Sequence, residues 1–329
     1  MFQVVENTSK SLVIWRLIDG KPGHQNQSLG LVNSIKKKRV CEVFDINISN
    51  GFDALVSLFT SNWHFGNDLP APDLIIGAGH ATHLHLLAAK KIYGGKTIVL
   101  MQPSLPVPFF DLCMIPLHDN YKGWGNFIET RGVLNAIEKS TLSLDTTHNQ
   151  QRSLIMLGGP SKHFEWNGQW VLRQLDDLIN LNPETHYTLT TSRRTPKEFL
   201  ETLSQINLPN IEIVPFDQTD ANWVARQLNQ SSTAWITEDS VSMVYESLTA
   251  NVGVGLLNLH AKAQNRVVKG IKTLVDKGYV TKFDGTLDCQ GRLKPVLHFN
   301  EANRCSELVF KHLLQPQKTR KPAFSLNLN

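Results

Sequence analysis

Cysteine is scarce in this chain. The 329 residues contain four, Cys41, Cys113, Cys289 and Cys305, widely separated and without a CxxC pair. That excludes a disulfide-framed secreted scaffold and leaves no zinc-finger pattern, so a reduced, cytoplasmic setting is expected. Long apolar runs are missing too. None approaches the ~20 residues of a membrane-crossing helix, and the first twenty residues carry Glu6, Lys10, Arg16 and Asp19, which a signal peptide would not. Neither sign of charge dominates, with 33 Lys and Arg against 29 Asp and Glu for a formal +4. A nucleic-acid protein would show a basic stripe, and no nucleic-acid partner is expected. The dinucleotide fingerprint GxGxxG is also absent,.

What is present is a 41% hydrophobic chain, long enough to bury a substantial core. At ~100–200 residues per domain it suggests two domains. Strand, loop and helix alternate. Leu12 to Ile18, Val40 to Ile46, Leu74 to Ile76, Thr97 to Met101 and Leu112 to Ile115 read as strands, with helices at Ser28 to Ile35 and Ala81 to Lys91. Continuous apolar runs of this kind mark parallel strands covered on both faces. The polar stretch Glu138 to Arg152 reads as a linker. The grammar then restarts, with strands at Ser153 to Leu157, His186 to Thr190, Ile211 to Val214, Ala234 to Thr237 and Val252 to Leu257, and helices at Gln169 to Leu181, Asp220 to Leu228 and Ser240 to Ala250. The expectation is an α/β protein of two doubly wound, Rossmann-like domains facing a cleft, over residues 1–145 and 146–315, with a tail at 316–329.

Four polar motifs fall where strands end, the usual ligand edge of open α/β sheets. The first is Asp19-Gly20-Lys21-Pro22-Gly23-His24-Gln25-Asn26-Gln27. Gly20 and Gly23 permit close backbone approach, and the helix expected from Ser28 offers free N–H groups to an anion. His24 or Asp19 can act there as general base on a hydroxyl; otherwise they only shape a turn. The second is Gly77-Ala78-Gly79-His80, which sets Gly79 and His80 at the cleft, with His83 and His85 as surface or packing residues. No carboxylate or cysteine stands beside them, so no metal site is expected. The third is Ser192-Arg193-Arg194-Thr195, where hydroxyls, guanidinium groups and a helix start at Pro196 suit a phosphate. The fourth and most specific is Thr237-Glu238-Asp239-Ser240-Val241-Ser242-Met243-Val244-Tyr245-Glu246. Asp239 or Ser240 would cap a helix whose N–H groups point into the cleft. Glu246, about two turns in, can accept both hydroxyls of a ribose, or it is a surface residue.

Taken together and in this order, DGKPGHQNQS, GGPSKHFEW, TTSRRTP and TEDSVSMVYE resemble the mitochondrial-fission "elongated mitochondria" (Elm) family in its bacterial form. The resemblance runs from Trp15 to about Lys277, and the family is distantly similar to GT-B glycosyltransferases and nucleotide-sugar 2-epimerases. It implies two facing Rossmann-like domains, a donor held mainly by the second, and a terminal helix crossing back to the first. It also implies Ser240, Val241 and Ser242 at the diphosphate, Arg193 and Arg194 near the phosphates, Gly158 and Gly159 in the loop opening the second domain, and Glu246 on the ribose. One departure is Thr249-Ala250-Asn251-Val252-Gly253, where many GT-B enzymes carry a Gly-x-Pro turn.

The expected activity is a nucleotide-sugar-dependent glycosyltransferase. Its substrates would be a nucleotide-diphosphate sugar and an undefined acceptor, with no separate cofactor. No DxD motif is present, so arginines and helix dipoles would stand in for a divalent metal. A 2-epimerase on the same fold and a non-catalytic adaptor retaining it both stay open. Lys36-Lys37-Lys38-Arg39 and the tail from Lys318 to Lys321 are candidates for peripheral contact with anionic lipid at the inner membrane face, or are solvated faces.

Overall fold

Every residue of Leu12–Ile18 is buried, as a strand covered by helices on both faces requires. This is strand β1 of the computed structural model, which describes residues 11–48, 51–138, 152–205, 210–286 and 293–315. Cys289, the linker beyond residue 138 and the Lys318 to Lys321 tail lie outside the described residues. Strands β2 (Cys41–Asn47), β3 (Leu74–Ala78), β4 (Lys96–Leu100), β5 (Leu112–Pro116) and β6 (Phe127–Thr130) complete a parallel six-stranded sheet in the order β2-β1-β3-β4-β5-β6.

The second half repeats the plan. Strands β7 (Arg152–Met156), β9 (His186–Thr190), β10 (Ile211–Val214), β11 (Thr233–Thr237), β12 (Gly253–Leu257) and β14 (Thr281–Lys282) form a second parallel sheet, ordered β10-β9-β7-β11-β12-β14. A two-stranded antiparallel pair, β8 (Phe164–Glu165) with β13 (His260–Ala261), flanks it. Each sheet has an apolar cluster on both faces. The doubly wound, two-sheet architecture expected from the sequence is therefore present.

Strand order reverses between β1 and β3 in the first sheet and between β7 and β11 in the second. Crevices open at such switch points because the flanking connections run to opposite faces. The loops after β1 and β3 carry Asp19, Gly79 and His80; those after β7 and β11 carry Gly158, Gly159, Asp239 and Ser240. The polar motifs thus fall at the two places where the topology leaves room for a ligand.

The structure corrects one boundary at the first switch point. Helix α1 spans Pro22–Lys36, so Gly23, His24 and Asn26 are helical and not part of a loop ending at Ser28. Pro22 at the first position sets φ for a helix and has no N–H to leave unpaired. That outweighs the polar composition that follows.

The Glu301–Val309 helix crosses back to the first domain, where Ala302, Cys305 and Val309 join the core formed with Leu12, Ile14 and Leu31. Lys38 pairs with Glu307 on this helix at 3.1 Å, and Lys37 with Glu138 at 3.0 Å. Two members of the basic run are therefore engaged by carboxylates. Exposed pairs of this kind contribute at most about 1 kcal/mol. Among the described residues no helix is long and apolar enough to cross a membrane.

Candidate functional site

At the second switch point a cluster forms around a fully buried carboxylate. Asp239 Oδ2 accepts from Gly159 N at 3.1 Å and lies 2.7 Å from Arg194 Nη2, with no exposure of its side chain. The same guanidinium donates to Ser240 Oγ at 3.2 Å and, through Nη1, to the carbonyls of Gly159 and Pro160 at 3.0 and 3.2 Å. Thr195 Oγ1 donates to Gly158 O, and Gly158 N donates to Thr237 Oγ1 at 2.7 Å. Ser192 joins through its N–H, which donates to Thr195 Oγ1 at 2.9 Å. Gly159 has to be glycine, because a Cβ there would stand 2.1 Å from the Arg194 carbonyl oxygen.

The Val241–Ala250 helix starts at this cluster. Ser240 occupies its N-cap position, but its side chain makes no capping bond, since the hydroxyl serves Arg194 instead. The first-turn N–H groups, Val241 and Ser242 among them, therefore have no side-chain cap. They form an uncapped positive helix end. Arg193 makes none of these bonds. Its guanidinium stacks 4.9 Å from the centroid of the Phe216 ring, and among the described residues it has no carboxylate partner. Glu238 is buried and faces the opposite way, accepting from Leu259 N at 2.8 Å and pairing with Lys282 at 2.7 Å.

At the first switch point Asp19 and His24 form a dyad, with His24 Nδ1 2.7 Å from Asp19 Oδ2. The Asp19 side chain is 2% exposed and that of His24 18%. Asp19 Oδ1 also accepts from Lys21 N at 3.2 Å. The imidazole lies over Gly79, whose φ of +82° and whose lack of Cβ are both required: a Cβ would sit 2.2 Å from His24 Cε1. Gly23, one residue earlier, faces open space. His80 is exposed beside Gly79. His83 and His85 are packing residues: His83 is buried with Nδ1 3.1 Å from Ser104 Oγ, and His85 Nδ1 accepts from Trp63 Nε1 at 3.0 Å. Burial pushes the His83 pKa down to about 4. Among the described residues no group of three or more His, Cys, Asp or Glu side chains could hold a metal ion.

One hydrogen bond joins the two switch points. Asn26, in the second turn of α1, donates through Nδ2 to Glu246 Oε1 at 2.8 Å. The first polar motif includes Asn26 without assigning it a role, since a partner 220 residues away leaves no local trace. Protein surrounds Glu246 on most sides, and the loss of water pushes its pKa up to about 7, against the lowering effect of the Asn26 bond. A carboxyl group that holds its proton longer when folded stabilises the fold most at low pH, and that contribution is lost as pH rises from about 4.5 through about 7,. His83, shifted the other way, gives the opposite slope between about 4 and 6.5,. Glu246→Gln separates the two. The midpoint difference, wild type minus variant, is expected to fall as pH rises from about 4.5 to about 7,. A difference independent of pH would refute the assignment.

Comparison with known proteins follows this geometry. A family model described as mitochondrial fission ELM1 matches residues 22–313. A Rickettsia prowazekii (strain Madrid E) sequence, uncharacterized protein RP120, is 25% identical over 290 residues, covering 72% of this chain and 80% of that one. A putative UDP-N-acetylglucosamine 2-epimerase from Listeria monocytogenes superposes with a TM-score of 0.58 at 9% identity, over 93% of this chain and 98% of its own. UDP-GlcNAc 2-epimerase from Neisseria meningitidis, solved with UDP-GlcNAc, gives 0.55 at 11% identity, over 93% and 100%. The glycotransferase of kitacinnamycin gives 0.51 at 12%, over 92% and 99%. The fold is accordingly GT-B-like.

Proposed function

We propose, from the premise that the chain belongs to the mitochondrial fission ELM1 family, that it binds a nucleoside-diphosphate sugar in the cleft and transfers the sugar to an acceptor hydroxyl. The observation that carries this reading is the Asn26–Glu246 hydrogen bond. It sets α1, which starts at one switch point, against the Val241–Ala250 helix, which starts at the other, and this supports reading the dyad and the uncapped helix start as parts of one site. The uncapped helix start and Arg193 would receive the diphosphate, and Glu246 would accept the ribose hydroxyls. His24 Nε2 would take the proton of the acceptor oxygen. That oxygen forms a bond to the sugar's anomeric carbon as the bond from that carbon to the β-phosphate oxygen breaks. The nucleoside diphosphate leaves, its growing charge met by helix N–H groups and guanidinium.

A thermal-shift panel of UDP, GDP, CDP, ADP and TDP tests the site. The matching nucleotide is expected to raise the midpoint, since a ligand at 100 times its Kd stabilises the folded state by about 2.7 kcal/mol. Turnover is expected to survive EDTA; loss of activity restored by manganese would overturn the metal-independent form of the mechanism. Isomerised nucleotide formed without any acceptor would favour the 2-epimerase reading. Absence of any shift at millimolar nucleotide would favour the adaptor.

A further inference from the structure

The amide of Asn26 is held at both ends. Its Oδ1 accepts from Ala136 N at 3.1 Å, which fixes the orientation of the group and aims Nδ2 at Glu246,. Ala136 belongs to the segment that leaves the first domain, and that segment is itself tied to the Glu246 helix. Asn135 Nδ2 donates to Thr249 Oγ1 at 2.9 Å and to Tyr245 O at 3.3 Å. Among the described residues Asn26 is the only hydrogen-bond partner of the Glu246 carboxylate. A carboxylate that chelates two neighbouring hydroxyls uses both oxygens, and the Asn26 amide stands against one of them, Oε1,.

We propose that Asn26 is a placeholder in the ribose subsite: its amide occupies the acceptor that the ribose must claim, so that nucleotide binding breaks an interdomain hydrogen bond. The inference rests on the reading of Glu246 given above. A ribose hydroxyl donating to Oε1 replaces the amide, and α1 loses its direct hold on the second domain. Binding at the ribose and breaking of that bond are then one linked equilibrium, and ligands without a ribose stand outside it.

The readout is the ratio of two dissociation constants, that of inorganic pyrophosphate over that of UDP, or of whichever nucleoside diphosphate the panel selects. Asn26→Ala removes the competing donor. Asn26→Leu also removes it while keeping the side chain's bulk in a helix-forming residue, which guards against misfolding of the alanine variant. Any general charge or stability effect moves both constants and cancels in the ratio. The ratio is expected to rise about tenfold in both variants, the value of one hydrogen bond to a charged group. An unchanged ratio, with nucleotide still bound, would overturn the placeholder and leave the site reading standing. A fallen ratio would overturn it too, by making Asn26 a ribose ligand. If no nucleoside diphosphate binds wild type or variant, the site reading itself fails and takes this inference with it.

Discussion

Replacing Arg194 with alanine is expected to cost about 3 kcal/mol of folding stability, which lowers the thermal midpoint by roughly 6–12 °C, before any ligand is added. The reason lies in what the guanidinium leaves behind. Asp239 is fully buried, and its Oδ1 has no hydrogen-bond partner among the described residues. Without Arg194 the carboxylate keeps the N–H of Gly159 but loses its counter-charge. Removing one member of a buried ion pair strands the other, and that accounts for most of the expected loss. Arg194 is itself 42% exposed, so water screens the pair in part and the figure belongs at the low end of the range. Asp239→Asn alone should be milder, because an amide oxygen still accepts from Gly159 N. The double variant should recover most of the Arg194→Ala loss. Urea unfolding of the four proteins measures the coupling; purely additive losses would show that the pair does not hold this loop together.

This arrangement changes the part that Arg194 plays. The resemblance placed both arginines near the phosphates. In the fold, Arg194 directs its terminal N–H groups at Asp239, Ser240, Gly159 and Pro160. It ties the loops after β7 and β11 together, while Arg193 is the cation without a carboxylate partner among the described residues. The distinction was illegible in the sequence, where the two residues are adjacent and chemically identical.

Other features were legible for physical reasons. β1, β3, β7 and β11 announce themselves as mostly apolar runs because both of their faces are covered,. The ligand edge followed, since turn residues cluster where such runs stop. β14 was hidden because Thr281–Lys282 is two polar residues long, and its pairing with β12 is set by the chain around it. α1 was begun six residues late because Gly23, His24, Gln25, Asn26 and Gln27 look like a loop, while Pro22 fits equally a turn or a helix start,. The crossing of the last helix came only through the resemblance. Its buried apolar residues, Ala302, Cys305 and Val309, are too few and too small to reveal which domain they cover. The Asn26–Glu246 contact depends on how two domains face each other, and no window of sequence contains that.

Under the proposed transfer, the sequence left the general base open between His24 and Asp19, and the dyad geometry favours His24. A carboxylate can only accept, so Asp19 Oδ2 at 2.7 Å obliges His24 Nδ1 to carry the hydrogen,. Nε2 then holds the lone pair that removes a proton. Asp19 lies behind the ring at 2% exposure, out of an acceptor's reach, and its second oxygen is occupied by Lys21 N. Asp19→Asn is therefore expected to lower kcat by about 10²–10⁴-fold, the usual contribution of a positioned general base, with nucleotide affinity nearly unchanged. An asparagine has no good orientation here. If its NH₂ faces Nδ1, the imidazole must move its hydrogen to Nε2 and loses the basic lone pair. If its oxygen faces Nδ1, the NH₂ meets the Lys21 N–H and leaves a donor unpaired. His24→Ala should fall by a similar factor, and the double variant no further, because the two residues act as one unit. Losses that multiply in the double variant would mean separate roles. Turnover that survives His24→Ala but not Asp19→Asn would make the carboxylate the base and the imidazole its cover.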